Sequence, residues 1–255
     1  MSDYPWYRKP PAGTPLDRTH PLASGLLGFW PFNEGAGPFV SDAFGSGVTG
    51  TLTGAVNWIS SGPYGAAINF SGGNVRFSSP LIEADQGTIF LGALNANISA
   101  SVRSYIFDVD AGTTDGLGLQ HYTDGNIYFG WAEAGGNRVV LPYASGWPMG
   151  YPITYGFTWS NGGETILYLN GTQIGSATPT VTASTTSNAW LGDSPLNNGA
   201  GYTYRGIIDC IGVYDRVLAP GELAQLSANR WQIFAQPPGS DLDPNYYPWL
   251  MGPEG

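Results

Sequence analysis

Gly25-Leu-Leu-Gly-Phe-Trp-Pro-Phe-Asn-Glu-Gly-Ala-Gly37, followed by Ser41-Asp-Ala-Phe-Gly-Ser-Gly47, stands near the start of the chain. Tyr204-Arg-Gly-Ile-Ile-Asp-Cys-Ile-Gly-Val-Tyr-Asp-Arg-Val-Leu-Ala-Pro-Gly-Glu-Leu223 stands near its end. Each is a short apolar run closed by turn residues, and together they read as the two ends of one β-sandwich. Between them short apolar or alternating runs recur: Gly28–Phe32, Ala66–Phe70, Asn74–Phe77, Gly87–Leu94, Tyr105–Val109 and Gly116–His121. Asn126–Trp131, Ile153–Trp159, Glu164–Leu169, Thr172–Ser176, Ala189–Leu191 and Ile207–Tyr214 continue the series. Asp124-Gly125, Asn161-Gly162-Gly163 and Asn170-Gly171 separate them as hairpin turn signals. Helical periodicity is nearly absent, so the expected class is all-β. The one helix expected is Pro220–Ala228, where Pro220 and Glu222 suit a helix start.

Composition agrees with a sandwich rich in turns. The chain has 255 residues, of which 42% are hydrophobic and only 11% charged, against about 25% charged in ordinary globular proteins. A net charge of −10 excludes a basic face for nucleic acid and is equally poor for anionic membranes. No run reaches the roughly 18 apolar residues of a membrane span. The single cysteine, Cys210, rules out an intramolecular disulfide framework and, lying in an apolar run, reads as a buried structural thiol.

Three regions follow: an extended arm over 1–24, the sandwich over 25–230, and a second arm over 231–255. Both arms are broken by proline. The first carries Tyr4, Trp6 and Tyr7 and the second Tyr246, Tyr247 and Trp249. Such rings are costly to leave in water, so the arms are expected to dock on a neighbour or on the domain itself. Deleting residues 1–20 and 237–255 is expected to leave a folded sandwich.

The quoted segments resemble the laminin-G-like, concanavalin A-like lectin/glucanase family. Gly25–Gly37 is similar to its opening strand and acidic loop, and Asp42-Ala-Phe-Gly45 to its Asp-Ser-Ser-Gly turn. Gly50-Thr-Leu-Thr-Gly-Ala-Val-Asn-Trp58 with Gly65-Ala-Ala-Ile-Asn-Phe70 is similar to the next strands. Ile153–Trp159 with Thr165–Gly171 resembles the central hairpin, and Arg205–Leu218 the last strand. The resemblance implies a jelly-roll sandwich of two antiparallel sheets. It also implies a structural calcium joining the first loop to the last strand, with Asp42 and Asp209 at the matching positions and Glu34 as a further oxygen. Read from the residues alone, Asp42 is equally an Asx-turn residue and Asp209 a partner for a backbone amide.

Catalysis finds no clustered acids of the Glu-x-Asp-x-x-Glu kind. Asp108 and Asp110 share a face with no glutamate beside them, and with His20 and His121 alone neither a triad nor a zinc site is supported. The chain is therefore read as non-catalytic. For sugar binding, which sets an aromatic face against a pyranose, the candidates are Tyr128, Tyr143, Trp147 and Trp190. Alternation over Asn126–Trp131 puts Ile127, Phe129 and Trp131 on one face and Tyr128 on the other.

The two ends, Pro10-Pro-Ala-Gly-Thr-Pro-Leu-Asp-Arg-Thr-His-Pro21 and Asn229-Arg-Trp-Gln-Ile-Phe-Ala235, look similar to those of bacteriophage proteins carrying this domain. With no signal-peptide pattern, the expectation is synthesis in a host cytoplasm and display on a virion surface. The chain would be a capsid decoration or head-fibre protein, docked through its arms to capsid or other virion proteins as a homo-oligomer, for instance a trimer. The alternative is a carbohydrate-binding module that attaches a particle or cell to polysaccharide.

Overall fold

The computed structural model describes residues 9–77, 81–82, 85–95, 104–110, 117–121, 127–132, 138–141, 150–160, 163–178, 188–194 and 203–235. Within these run β1 (Leu26–Trp30), β2 (Phe39–Val40), β3 (Gly50–Gly62), β4 (Gly65–Phe77), β5 (Gln86–Asn95), β6 (Ser104–Asp110) and β7 (Leu117–His121). They are followed by β8 (Ile127–Ala132), β9 (Arg138–Leu141), β10 (Pro152–Ser160), β11 (Thr165–Leu169), β12 (Thr172–Ala177), β13 (Asn188–Leu191) and β14 (Gly206–Tyr214). Helix α1 (Pro220–Ala228) and a 3-10 turn (Arg230–Ile233) come last.

The strands pair antiparallel in one curled ladder, β12-β11-β10-β5-β14-β4-β13-β6-β7-β8-β9, with β1 on β14 and the β2–β3 pair on β4. The two expected layers are its two halves. What joins them is β4, whose Ile68–Phe70 pair with β14 while Val75–Phe77 pair with β13. Ser71-Gly72-Gly73 lies between, opposite a register shift at Gly54 in β3. A bulge beside glycines lets a strand bend from one sheet into the other without losing its ladder.

Rings from both layers meet in the core. Phe157 of β10 lies 5.9 Å from Phe107 of β6 and 4.6 Å from Phe129 of β8, and Trp30 of β1 is 5.0 Å from Phe77 of β4. Each such fully buried ring contributes about 1.5–3 kcal/mol. The layer β10-β5-β14 is covered on its other face too. There Phe90, Cys210 and Tyr168 pack with Leu223 and Leu226 of α1, Leu16 and Leu22 from the chain start, and Trp231, Ile233 and Phe234. Burial on both faces explains why β10 and β14 are buried almost end to end rather than at alternate residues.

This outer cover draws in parts of both arms. Leu16 bridges to Phe234, and both are buried, so within residues 9–24 and 231–235 the chain packs on the domain itself. Removing residues 1–20 takes Leu16 out of this buried cover, so the truncated sandwich is expected to melt below the full chain. Tyr4, Trp6, Tyr7, Tyr246, Tyr247 and Trp249 lie outside the described residues.

The α1 bounds match the sequence expectation, and the start of the helix shows why. Glu222 accepts from the Ala219 backbone amide at 2.8 Å and holds Arg216 through both guanidinium nitrogens at 2.6 and 2.8 Å. Arg216, the largest influence, keeps the Glu222 carboxyl below its ordinary 4.5. A depressed carboxyl supplies stability that is complete above pH 4.5 and lost as pH falls through the lower folded value. Wild type and Glu222→Gln should thus differ by about 0.5–1 kcal/mol at pH 7 and converge in urea titrations as the pH falls through the folded value.

Candidate functional site

Two places collect the chemistry. The first is the outer face of the layer β4-β13-β6-β7-β8. Residues directly opposite on paired strands point the same way, about 4.8 Å apart per strand. The ladder sets Arg76 opposite Trp190, Trp190 opposite Asp108, Asp108 opposite Gly118, and Gly118 opposite Gly130. A second row, Tyr105–Gln120–Tyr128, runs beside it. The core-facing set (Val75, Phe107, Leu119, Phe129 and Leu191) is fully buried, which fixes these rows to the opposite side.

Along this face Trp190 and Tyr128 are partly exposed, and Asp108 and Gln120 are each 1% exposed. The guanidinium of Arg76 lies over the Trp190 ring, 5.4 Å from its centroid. Trp190 Nε1 is a buried donor with no hydrogen-bond partner among the described residues. Gly118 and Gly130 carry no side chain, so beyond Asp108 this row contributes backbone alone. Tyr128 falls where alternation places it. Two sequence candidates, Trp190 and Tyr128, therefore share one sheet face, separated by three strand steps. Tyr143 and Trp147 lie outside the described residues. Arg76 and the row partner Asp108 were missed as members of a sugar site. Only the register of β13, four residues long, shows that they flank Trp190.

The second place is where the resemblance puts calcium, and there the residues do not fit the ion. Asp209 is the extra residue at a bulge of β14 against β5. Its carboxylate is held by Arg230 Nη1 at 2.9 and 3.2 Å, with both side chains buried, and its backbone carbonyl accepts from Lys9 Nζ at 2.6 Å. Asp42 is engaged by N–H donors. It accepts from the amides of Phe29 (2.7 Å), Phe44 (2.9 Å) and Ser46, which makes it the Asx-turn residue that ties β1 to its loop. Glu34 Oε1 accepts from Ser41 at 2.6 Å, which leaves Oε2 buried without a partner among the described residues. Calcium needs six to eight oxygens. One spare oxygen beside two cations does not supply them. No group of three or more His, Cys, Asp or Glu able to hold a metal occurs among the described residues.

Arg230 is fixed from every side. It donates to Thr154 Oγ1 at 3.1 Å and stacks 4.7 Å from the Tyr64 ring and 5.7 Å from Phe90. Burial alone would pull its pKa down, but Asp209 raises it further. Burial and Asp209 push the Cys210 thiol up to about 12, so this buried cysteine stays a thiol. The Lys9 ammonium is drawn down to about 8 by burial, against the pull of Asp209.

A model of the concanavalin A-like lectin/glucanases superfamily matches residues 71–224. The chain belongs to this superfamily. Solved structures agree on the fold. Domain 4 of an extracellular GH43 arabinanase from Geobacillus stearothermophilus, in complex with arabinotriose, aligns with a TM-score of 0.66 at 20% identity, covering 79% of this chain and 98% of that one. The binding domain of botulinum neurotoxin DC, in complex with rat synaptotagmin II, aligns with a TM-score of 0.64 at 12% identity, covering 81% of this chain and 52% of that one. Trypanosoma rangeli sialidase aligns with a TM-score of 0.63 at 16% identity, covering 84% of this chain and 34% of that one. No curated protein matches the chain. At these identities the superfamily members share a fold with this chain, and its site must be argued from its own residues.

Proposed function

We propose that this chain is a non-catalytic carbohydrate-binding module whose site is the outer sheet face built around Trp190. The observation that carries the reading is the Trp190 side chain itself. Its ring is partly exposed on the outer sheet face, with the exposed Arg76 guanidinium 5.4 Å from its centroid. A pyranose offers an apolar face to the exposed part of the ring and hydroxyls to the exposed guanidinium of Arg76 beside it. Tyr128, partly exposed three strand steps away, is a second ring on the same face for a longer ligand. What supports binding without cleavage is that no Glu-x-Asp-x-x-Glu pattern occurs in the sequence and Asp108 and Asp110 have no glutamate beside them.

The arabinanase domain was solved with arabinotriose, which makes arabino-oligosaccharides the first probes, followed by a glycan array. Trp190→Ala should weaken binding by about fivefold or more, since loss of the stacking ring is worth roughly 1 kcal/mol. Replacing the exposed Phe39 should leave it unchanged. Equal binding by the Trp190 variant in calorimetry would refute this face as the site.

A virion role is compatible with that reading, because many copies on a particle make a weak sugar site effective. It is supported by the phage-like ends, the low charge and the proline-broken aromatic segments. Co-sedimentation with capsids of the source particle, with and without residues 1–8 and 236–255, tests it. Binding that is saturable and lost with those segments supports decoration, and no binding refutes it.

A further inference from the structure

Lys9 is the sole lysine of the chain, and the sugar-binding reading makes no use of it. We propose that its ammonium is a built-in cation, held in a cage of three backbone carbonyls where the resemblance places a metal, and that it latches the start of the chain to the sandwich. The cage is formed by the carbonyls of Phe32, Ala66 and Asp209, with Nζ at 3.2 Å from Phe32 O and 2.6 Å from Asp209 O, and also bonded to Ala66 O. An ammonium has three N–H donors and no acceptor, so three carbonyls satisfy it.

These acceptors come from the loop after β1, the start of β4 and the bulge in β14. One side chain thus ties together three separate parts of the fold. The backbone is bent to serve it. Phe32 has φ +49°, a left-handed conformation that a bulky residue adopts only under constraint, and its carbonyl is one of the three. The stem is pinned on either side of the cage. The Lys9 amide donates to Tyr64 O at 3.0 Å, and Asn33 Nδ2 donates to Pro10 O at 2.9 Å. The Trp231 ring centroid stands 5.3 Å from Nζ and closes the outer side.

The charges select a monovalent cation. Asp209 and Glu34 favour positive charge at this point, but Arg230 opposes it. Arg230 already neutralises the Asp209 carboxylate, so a divalent ion would meet neutral carbonyls and an adjacent guanidinium. An ammonium on a tether avoids both that repulsion and the entropy of capturing a free ion. The fold is accordingly independent of calcium.

Having a single ε-amine makes the test direct. In the native wild-type protein, acetylation of Lys9 by an N-hydroxysuccinimide ester, followed by mass spectrometry, should be on the order of 100-fold slower than in urea. Chelator or added calcium should leave the melting temperature where it is. Lys9→Met, which keeps the stem but removes charge and donors, should lower it by at least about 5 °C by orphaning three carbonyls. The latch is overturned by native acetylation at the unfolded rate, by a Lys9→Met protein that melts with wild type, or by a wild-type melting temperature that follows calcium. The acetylation and chelation results stand on the wild-type protein even where the variant fails to fold.

Discussion

Arg230→Ala is expected to cost about 3–5 kcal/mol of folding free energy, measured by urea denaturation at neutral pH. The size follows from what remains behind. Asp209 is 1% exposed, and its carboxylate oxygens lie 2.9 and 3.2 Å from Arg230 Nη1. Without the guanidinium the carboxylate stays buried at a bulge, facing rings. The Lys9 ammonium nearby is committed to backbone carbonyls and softens the loss without replacing the pair. Thr154 Oγ1 also loses its donor, and Tyr64 and Phe90 lose the plane they stack on. The same principle predicts strong non-additivity. Arg230→Met combined with Asp209→Leu should cost far less than the two single changes summed, because no buried charge remains. A loss below about 1 kcal/mol for Arg230→Ala would mean that water reaches Asp209.

Local signals were legible where the cause is local. The Asn170-Gly171 turn signal fits φ +50° and +78°, the paired positive values of a two-residue hairpin turn. The α1 bounds follow from Pro220 and Glu222, and Asp42 shows the Asx turn its residue type allows. β3 carries the opposite lesson. Most of its residues are exposed or partly so, with little apolar alternation to mark it, and family resemblance alone pointed to that stretch. Docking of the first arm on a neighbour or on the domain itself was as far as residues 9–24 could be read, because proline content signals an extended chain and is silent on what the chain packs against. Lys9 and Arg230 were missed as a pair for the same reason. Their shared partner Asp209 is 200 residues from one and 21 from the other. The bulge that turns Asp209 toward both depends on a neighbouring strand. An aspartate in an apolar run was the visible signal, and the cation its carboxylate holds in the fold is the guanidinium of Arg230.

Gly92→Ala should be as damaging as losing the ion pair, although it removes no interaction and adds one methyl group. Gly92 lies in β5 between Thr154 of β10 and Cys210 of β14. Arg230 crosses this row to reach Thr154 Oγ1 and Asp209. A Cβ built on Gly92 lands on Arg230 Nη1 and Asp209 Oδ1, well inside van der Waals contact. β5 is hydrogen-bonded on both sides and cannot retreat, and the pair cannot separate without leaving two charges buried apart. The expected loss is again about 3–5 kcal/mol. Gly156→Ala is the control, since its Cβ would meet the mobile end of Leu223 at 2.9 Å, an overpacking worth about 1–2 kcal/mol. The decisive comparison is Gly92→Ala in the Arg230→Met, Asp209→Leu background. If the glycine is there to make room for the ion pair, its replacement should be several-fold cheaper once the pair is gone. An equal cost in both backgrounds would assign the clash to the sheet itself.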